Sequence, residues 1–248
     1  MKIIINGDDL GISEMVNASI FGLMEKELVT SASLLMNAPA VEAAAARLGN
    51  YPHCSFGVHL NVTEFLPLTK HPGLKPLLNG NGEFAENIRS VRVNHAVREG
   101  VYAEWCAQLD RAMLLGVPVS HIDSHHHAHT VPGLLSFLKR VQRTYGIRKV
   151  RLTRNFFGSS ESKPMVLLAS KAMWNFMLRH WYPTRTTDYF ASFAPFNERL
   201  HAGLELNGTI ELACHPGGEG FRTETAMLSE PWKAALPRNA QLITYNDL

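Results

Sequence analysis

The sequence predicts an α/β protein built as a (β/α) barrel of seven or eight mostly parallel strands. Three observations carry that reading. Short, apolar, turn-bounded runs alternate with helical patterns along the chain, as successive βαβ units require. No GxGxxG follows the first run, which weakens the case for an open, doubly wound dinucleotide-binding sheet. The reactive side chains also fall at the C-terminal ends of the expected strands, where (β/α) barrels assemble their sites.

The elements follow in order. Residues 2–6 (KIIIN) form a first strand, and GDDLGIS is the turn that ends it. Ser13 is placed to cap a helix running to about Lys26, which directs Met15, Ile20, Leu23 and Met24 toward a core. LVTSASLLM is a second strand, VEAAAARLG a short helix ending at Gly49, and CSFGVHLNV a third strand. Residues 64–84 (EFLPLTKHPGLKPLLNGNGEF) are rich in Pro, Gly and Asn and are expected to fold over the site mouth as a lid. Two helices, at about 86–98 and 101–115, precede the fourth strand, VSHIDSH. A helix over 131–145, a fifth strand RKVRLT and a helix near 163–180 come next. TTDYFAS, GTIELACH and QLITYN are the last strands. The whole of 1–248 is read as one domain with a loop and helical insertion at about 64–116.

Composition narrows the class. A chain of 248 residues, 46% hydrophobic and 19% charged, is long enough to bury a large core. The net charge of +2 is spread over alternating signs and offers no track for nucleic acid. No stretch reaches the apolar length that spans a bilayer, and the opening MKIIINGDD has too short an apolar run for a signal peptide. No membrane or nucleic-acid partner is therefore expected, and a homodimer is allowed. Cys54, Cys106 and Cys214 form no CxxC pair, which fits a reducing compartment and makes the cytoplasm the expected location. Cys214 adjoins His215, but strand neighbours point to opposite faces, so a structural thiol is expected there.

The unusual stretch is HIDSHHHAHT, residues 121–130, with five histidines and an aspartate in ten positions. Neutral imidazole is the commonest metal ligand among side chains. Other candidates sit at equivalent places: Asp8 and Asp9 after strand one, His59 near the end of strand three, Asp123 and His125 closing strand four. Arg151 lies on strand five and His215 ends the penultimate strand. Taken singly, each has a plain structural reading: aspartates favour turns, His59 needs only a polar partner, and Arg151 and His215 could be exposed. Together, one carboxylate and two imidazoles at one rim make a site for one divalent ion, Mg2+ or Zn2+, with positions left open. Such a site implies hydrolysis, with a second aspartate as general base and a histidine as general acid. No GxSxG or P-loop competes with that chemistry.

IINGDDLGIS, FGVHLNVTEFLPL, SHIDSHHHAH and IELACHPG, in this order between residue 3 and about 220, resemble the YdjC-like carbohydrate deacetylases, to which bacterial chitooligosaccharide deacetylases belong. The resemblance implies a polysaccharide-deacetylase-like barrel, a divalent metal, and removal of acetyl groups from N-acetylglucosamine-type sugars or chitooligosaccharides, so the implied partner is a small carbohydrate. It matches Asp9, His59 and His125 to metal ligands, Asp8 to the general base, His215 to the catalytic acid and Arg151 to an arginine that orients the base. It assigns His126, His127 and His129 no ligand role. The chain departs from the family pattern after Arg151: it reads RLTRN, with Thr153 and Asn155 where the family often carries a proline and then an acidic residue. That departure bears on the substrate more than on the chemistry. Hydrolysis of another amide or an ester on the same scaffold, or metal or sugar binding without catalysis, are the competing readings.

Overall fold

The structure is a computed structural model and describes every residue except 86 and 160. Its strands are β1 (Lys2–Leu10), β2 (Ser31–Leu34), β3 (Ser55–Leu60), β4 (Val119–Ser124), β5 (Tyr189–Ser192), β6 (Thr209–Cys214) and β7 (Gln241–Leu242). Its helices are α1 (Glu14–Glu25), α2 (Val41–Ala45), α3 (His95–Leu114), α4 (Leu135–Tyr145), α5 (Met165–His180), α6 (Phe193–His201) and α7 (Arg222–Ser229). The strands form one sheet in the order β4-β3-β2-β1-β6-β5, with β7 added to β1. All strand pairings among the described residues are parallel.

The expected fifth strand, RKVRLT, is reduced to bridges. Val150 pairs with Ile122 beside β4, Lys149 pairs with Arg185, and the backbone N–H groups of Asn155 and Phe156 donate to Phe190 O in β5. Segment 148–156 thus spans the gap between the two outer strands of the path and curls the sheet toward a barrel. The fold is the expected (β/α)-barrel type.

Three successive isoleucines suit β1 because the strand is covered on both sides: Ile3, Ile4 and Ile5 are all fully buried. The interior is polar as well as apolar, since Asp123, Arg151, Glu211 and His121 are completely shielded. Helix α1 starts where expected, with Ser13 Oγ accepting from Val16 N. Two regions differ from expectation. Strand β1 does not stop at residue 6 but carries Asp8 and Asp9 inside it, through an irregularity between Gly7 and Leu10. The two helices expected at about 86–98 and 101–115 are one helix, α3, capped by Asn94, whose side chain accepts from Val97 N; residue 86 lies outside the described residues. The helix runs straight through Gly100. That glycine is there for contact, not for a break: a Cβ would lie 2.8 Å from Gly73 C and 2.9 Å from Leu74 N.

The 64–84 segment begins beside the end of β4, where Glu64 Oε2 lies 2.9 Å from His125 Nε2. It is fastened to α3, where the fully buried Glu104 carboxylate accepts from Leu68 N, Thr69 N and Thr69 Oγ1 at 2.9–3.0 Å. Gln108 on the same helix exchanges hydrogen bonds with the Asn61 backbone at 2.8 and 2.6 Å. No described helix is long and apolar enough to cross a membrane.

A close contact inside the barrel yields a test. The His121 ring is stacked on Tyr245 at 3.6 Å between centroids, and a Cβ on Gly57 would come within 2.5 Å of it. With His121 wedged between β3 and Tyr245, Gly57→Ala is expected to cost about 1–3 kcal/mol, as overpacking does. Urea unfolding at constant m-value measures it.

Candidate active site

The site is assembled at the C-terminal ends of the strands. Asp8 and Asp9 come from β1, His59 from β3, Asp123 from β4, His125 from the 3₁₀ turn His125–Thr130 that follows β4, and His215 from the residue after β6. Asp9 adopts φ 67°, in the left-handed region that non-glycine residues avoid. That backbone bend lets two adjacent aspartates face different partners.

Asp9 faces the imidazoles. Its Oδ1 lies 2.8 Å from His125 Nδ1 and 3.3 Å from His59 Nε2, and the three ligand atoms lie within 4.8 Å of one another. The far side of each ring is committed. His59 Nδ1 is 2.8 Å from Asp123 Oδ1, and His125 Nε2 is 2.9 Å from Glu64 Oε2. Donation from Nδ1 to Asp123 leaves the His59 Nε2 lone pair aimed at a carboxylate oxygen, an arrangement that needs a proton or a cation between them. Asp9 Oδ1 is buried, and neither ring directs a well-aligned hydrogen bond to it despite the short distances. Burial opposes charge on His59, yet Asp123, Asp9 and Asp8 outweigh it and hold its pKa at about 10. A divalent cation at the same point satisfies the same field. The donor set fits one.

Two other donor groupings occur, Asp8–His59–Asp123 and Glu64–His125–His126. The first is already occupied by Arg151. Its Nη1 donates to Asp8 Oδ2 at 2.6 Å and its Nη2 to Asp8 Oδ1 at 2.7 Å. Nη1 also lies 2.8 Å from Asp123 Oδ2, and Nε donates to Glu211 Oε1 at 2.8 Å. The second grouping includes the exposed His126 and a Glu64 whose side chain is 44% accessible.

Burial alone would push the Asp8 carboxyl up, but the paired Arg151 charge and hydrogen bonds bring it below the ordinary carboxylate value. Asp8 Oδ2 is 4.0 Å from His215 Nε2. The His215 proton is supported from behind by Glu224 of α7, which accepts from His215 N at 2.7 Å and sits 3.5 Å from Nδ1. Burial disfavours the imidazolium, but Glu224 and the aspartates outweigh it and raise the His215 pKa. Asp123 is engaged elsewhere, by His59, Arg151 and Ser33. Glu224 had no sequence signal, because nothing in FRTETAMLS distinguishes it from a surface helix.

The six candidate residues therefore meet. Asp8, Asp9, Glu64 and His215 line a cavity of about 360 Å3, and Phe221 stacks on His215 at 4.3 Å to complete one wall. Trp174, by contrast, is buried against His129. His127 does not continue the Asp123–His125 face, because the strand ends at Ser124 and His126 and His127 take φ 49° and 55°. His129 is structural: it is buried and bridges Ser124 to Arg151 O. Cys214 is also buried, with its thiol held well above the usual range by burial.

Residues 2–244 match the family model described as YdjC-like protein. The chain belongs to the YdjC-like family. It is 38% identical over 147 residues to the carbohydrate deacetylase of Vibrio campbellii, covering 59% of this chain and 57% of that protein. It is 32% identical over 260 aligned positions to the carbohydrate deacetylase of Geobacillus stearothermophilus, covering 98% and 96%. Among solved structures, an Enterococcus faecalis V583 protein assigned to cellobiose-phosphate cleavage superposes with a TM-score of 0.79 at 24% identity, over 99% of this chain and 98% of that one. A family 4 carbohydrate esterase of Streptomyces lividans superposes at 0.51 and 10% identity, over 97% and 91%. These superpositions show that the chain shares its barrel-type fold with those two proteins.

Arg151 carries the prediction. Removing one partner of a buried ion pair strands the others, so Arg151→Met is expected to cost about 3–5 kcal/mol near neutrality. Asp8 and Asp123 titrate below the ordinary value when folded, so their pairing contributes stability above the unfolded value of about 3.9 and loses it as pH falls through the folded values. In Arg151→Met their folded values rise instead. The deficit against the parent should be largest at neutral pH and narrow below about pH 4. Chemical denaturation at several pH values checks both the size and the trend.

Proposed function

We propose that this protein is a metal-dependent carbohydrate deacetylase that hydrolyses the N-acetyl group of N-acetylglucosamine-type sugars, chitooligosaccharides among them. The single observation that carries the reading is the convergence of Asp9, His59 and His125 with Asp8 and His215 on one cavity. The names of the Vibrio and Geobacillus relatives support the substrate class. Asp9, His59 and His125 would hold one divalent ion; two imidazoles favour zinc, while a single carboxylate with open positions also accommodates magnesium. Bound there, the ion supplies Lewis-acid polarisation of the acetyl carbonyl and acidifies a water.

The chain's own groups handle the protons. Asp8, ionised by Arg151, takes a proton from the attacking water as its oxygen bonds to the acetyl carbon. His215 gives its proton to the sugar nitrogen as the C–N bond breaks, releasing acetate and the free amine. Phe221 and the Gly217–Gly218 backbone form the wall against which the sugar ring lies. The free cysteines support a reducing, cytoplasmic setting.

Acetate release from a panel of N-acetylated sugars tests the reading, with protein stripped of metal and reloaded with zinc or magnesium. Stripping should abolish release and reloading restore it; undiminished release from stripped protein would remove the metal from the mechanism. Asp8→Asn and His215→Ala should each lower kcat by about 10²–10⁴-fold, the usual share of a positioned acid or base. Both should retain metal by elemental analysis, whereas His59→Ala should lose it.

The pH profile separates acid from base. Because His215 must start protonated and its pKa is raised, kcat should fall on the alkaline side as that proton is lost. Glu224→Gln removes an anion beside the ring and should move this limb to lower pH, while His215→Ala should abolish it. An unmoved limb in both variants would assign the acid to another group.

A further inference from the structure

Helix α5 is apolar on two sides. Its inner side is fixed to the barrel: Trp174 and Leu178 are buried, and Asn175 accepts from Thr153 N and Oγ1 at 2.9 Å. Lys139 of α4 secures its C-terminal end, donating to Leu178 O and Thr184 Oγ1 at 2.5 and 2.7 Å. The outer side carries Met165, Val166, Ala169, Met173 and Phe176, at the three- and four-residue spacings that gather side chains into one stripe. That stripe meets water. Met165 is 79% and Val166 83% exposed, and of the first nine residues of the helix only Leu168 and Lys171 are even half-buried. Eleven large apolar side chains stand exposed among the described residues, and six of them lie between Met165 and Trp181. Scattered apolar residues are ordinary on a surface, but a gathered patch marks a place where the surface meets something else.

The charge around this helix is equally one-sided. Residues 143–187 hold nine of the chain's 24 Lys and Arg but only one, Glu161, of its 22 Asp and Glu. The small net charge therefore hides one basic region and an acidic remainder. Arg151 is spent inside the barrel, and Arg154 and Lys163 share Glu161. Basic side chains bracket the stripe. Lys163 stands just before the helix, and Arg143 lies 5.5 Å over the ring of Tyr182 just past it, beside the exposed Trp181. Trp and Tyr at that end are side chains that suit a boundary between apolar and aqueous layers.

A second copy of the chain is a poor occupant for this face, since a two-fold contact would set the basic rim against itself. A bilayer with anionic headgroups answers both features at once: its acyl layer takes up the stripe, and its surface potential attracts the rim. We propose that the outer side of α5 is a docking surface for an anionic lipid bilayer, on which the helix lies rather than crosses. Lying on a bilayer needs none of the length that spanning one requires, so the sequence, read for spans alone, carried no sign of it. Docking of this kind does not depend on which reaction the barrel performs.

The test is co-sedimentation of the full chain with vesicles of phosphatidylcholine alone and of equal parts phosphatidylcholine and phosphatidylglycerol. Emission from Trp181, assigned with Trp181→Phe, is followed in parallel. The mixed vesicles should bind the protein and shift that emission to the blue, with the neutral ones binding about tenfold more weakly or less. Raising the salt from about 0.1 to 1 M shortens the Debye length from about 10 to about 3 Å and should release most of the bound protein. Val166→Ser combined with Phe176→Ser should lower partition by about tenfold or more, and Lys163→Gln and Arg143→Gln by about fivefold each. Val166, Phe176 and Arg143 are exposed, so their variants should unfold at the parent's temperature. No partition onto either vesicle, equal partition onto both, or partition that survives the paired serine substitutions overturns the docking surface. So does a dimer, read by sedimentation velocity without lipid, that the same pair dissociates, because the stripe is then covered by a second copy.

Discussion

The buried guanidinium of Arg151 is the charge around which this barrel is organised. It is completely shielded, stands 4.8 Å over the Phe190 ring, and meets Asp8, Asp123 and Glu211 at 2.6–2.8 Å. An isolated charge at such depth would cost several kcal/mol; here three carboxylates from three strands close on it. Glu211 ends the chain of compensation. Burial raises its pKa to about 7 against the pull of Arg151 and Tyr245, and Tyr245 OH donates to it at 2.5 Å.

From that centre each site residue inherits its orientation. Asp123, fixed by Arg151 and Ser33, fixes His59 through Nδ1 and so decides which nitrogen faces Asp9. Carboxylate–histidine pairs of this kind set both the tautomer and the direction of a ligand ring. His125 is held from the opposite side by Glu64, and Glu64 is placed by the Asn61–Gln108 and Glu104 contacts that fasten its segment to α3. The backbone of Arg151 is itself anchored, since His129 meets its carbonyl at 3.2 Å. The five-histidine stretch thus divides its labour: His121 packs in the core, His125 faces Asp9, and His129 braces the arginine.

What the sequence made legible follows from the period and position of its residues. KIIIN, CSFGVHLNV and GTIELACH read as strands because parallel strands buried on both faces are short continuous apolar runs, and their polar ends marked the rim. The line between helix and turn was less legible where a glycine served tertiary contact. Gly100 looks like a break and is instead the point where α3 meets Gly73. Asp8, Asp9, His59, His125, Arg151 and His215 could be placed at one rim from strand ends alone. Glu224 could not, because its meaning comes from where α7 returns after the His215 loop. Nor could the fate of Asp123, which depends on which neighbour claims its two oxygens first.

The geometry also couples the proposed base to the proposed acid. Arg151 holds the Asp8 carboxyl below its ordinary value, so as the proposed base it would suit a water whose own pKa is lowered. The same carboxylate lies 4.0 Å from His215 Nε2 and is one of the anions that hold the His215 proton in place. Were Asp8 to take up a proton as proposed, part of that hold would disappear and His215 would become more acidic. Glu224 sits behind the ring, accepting from His215 N at 2.7 Å, and keeps the imidazole oriented. In the proposed mechanism, a base and an acid set this close, with one arginine behind the first and one carboxylate behind the second, would act as a coupled pair rather than as two independent groups with fixed pKa values.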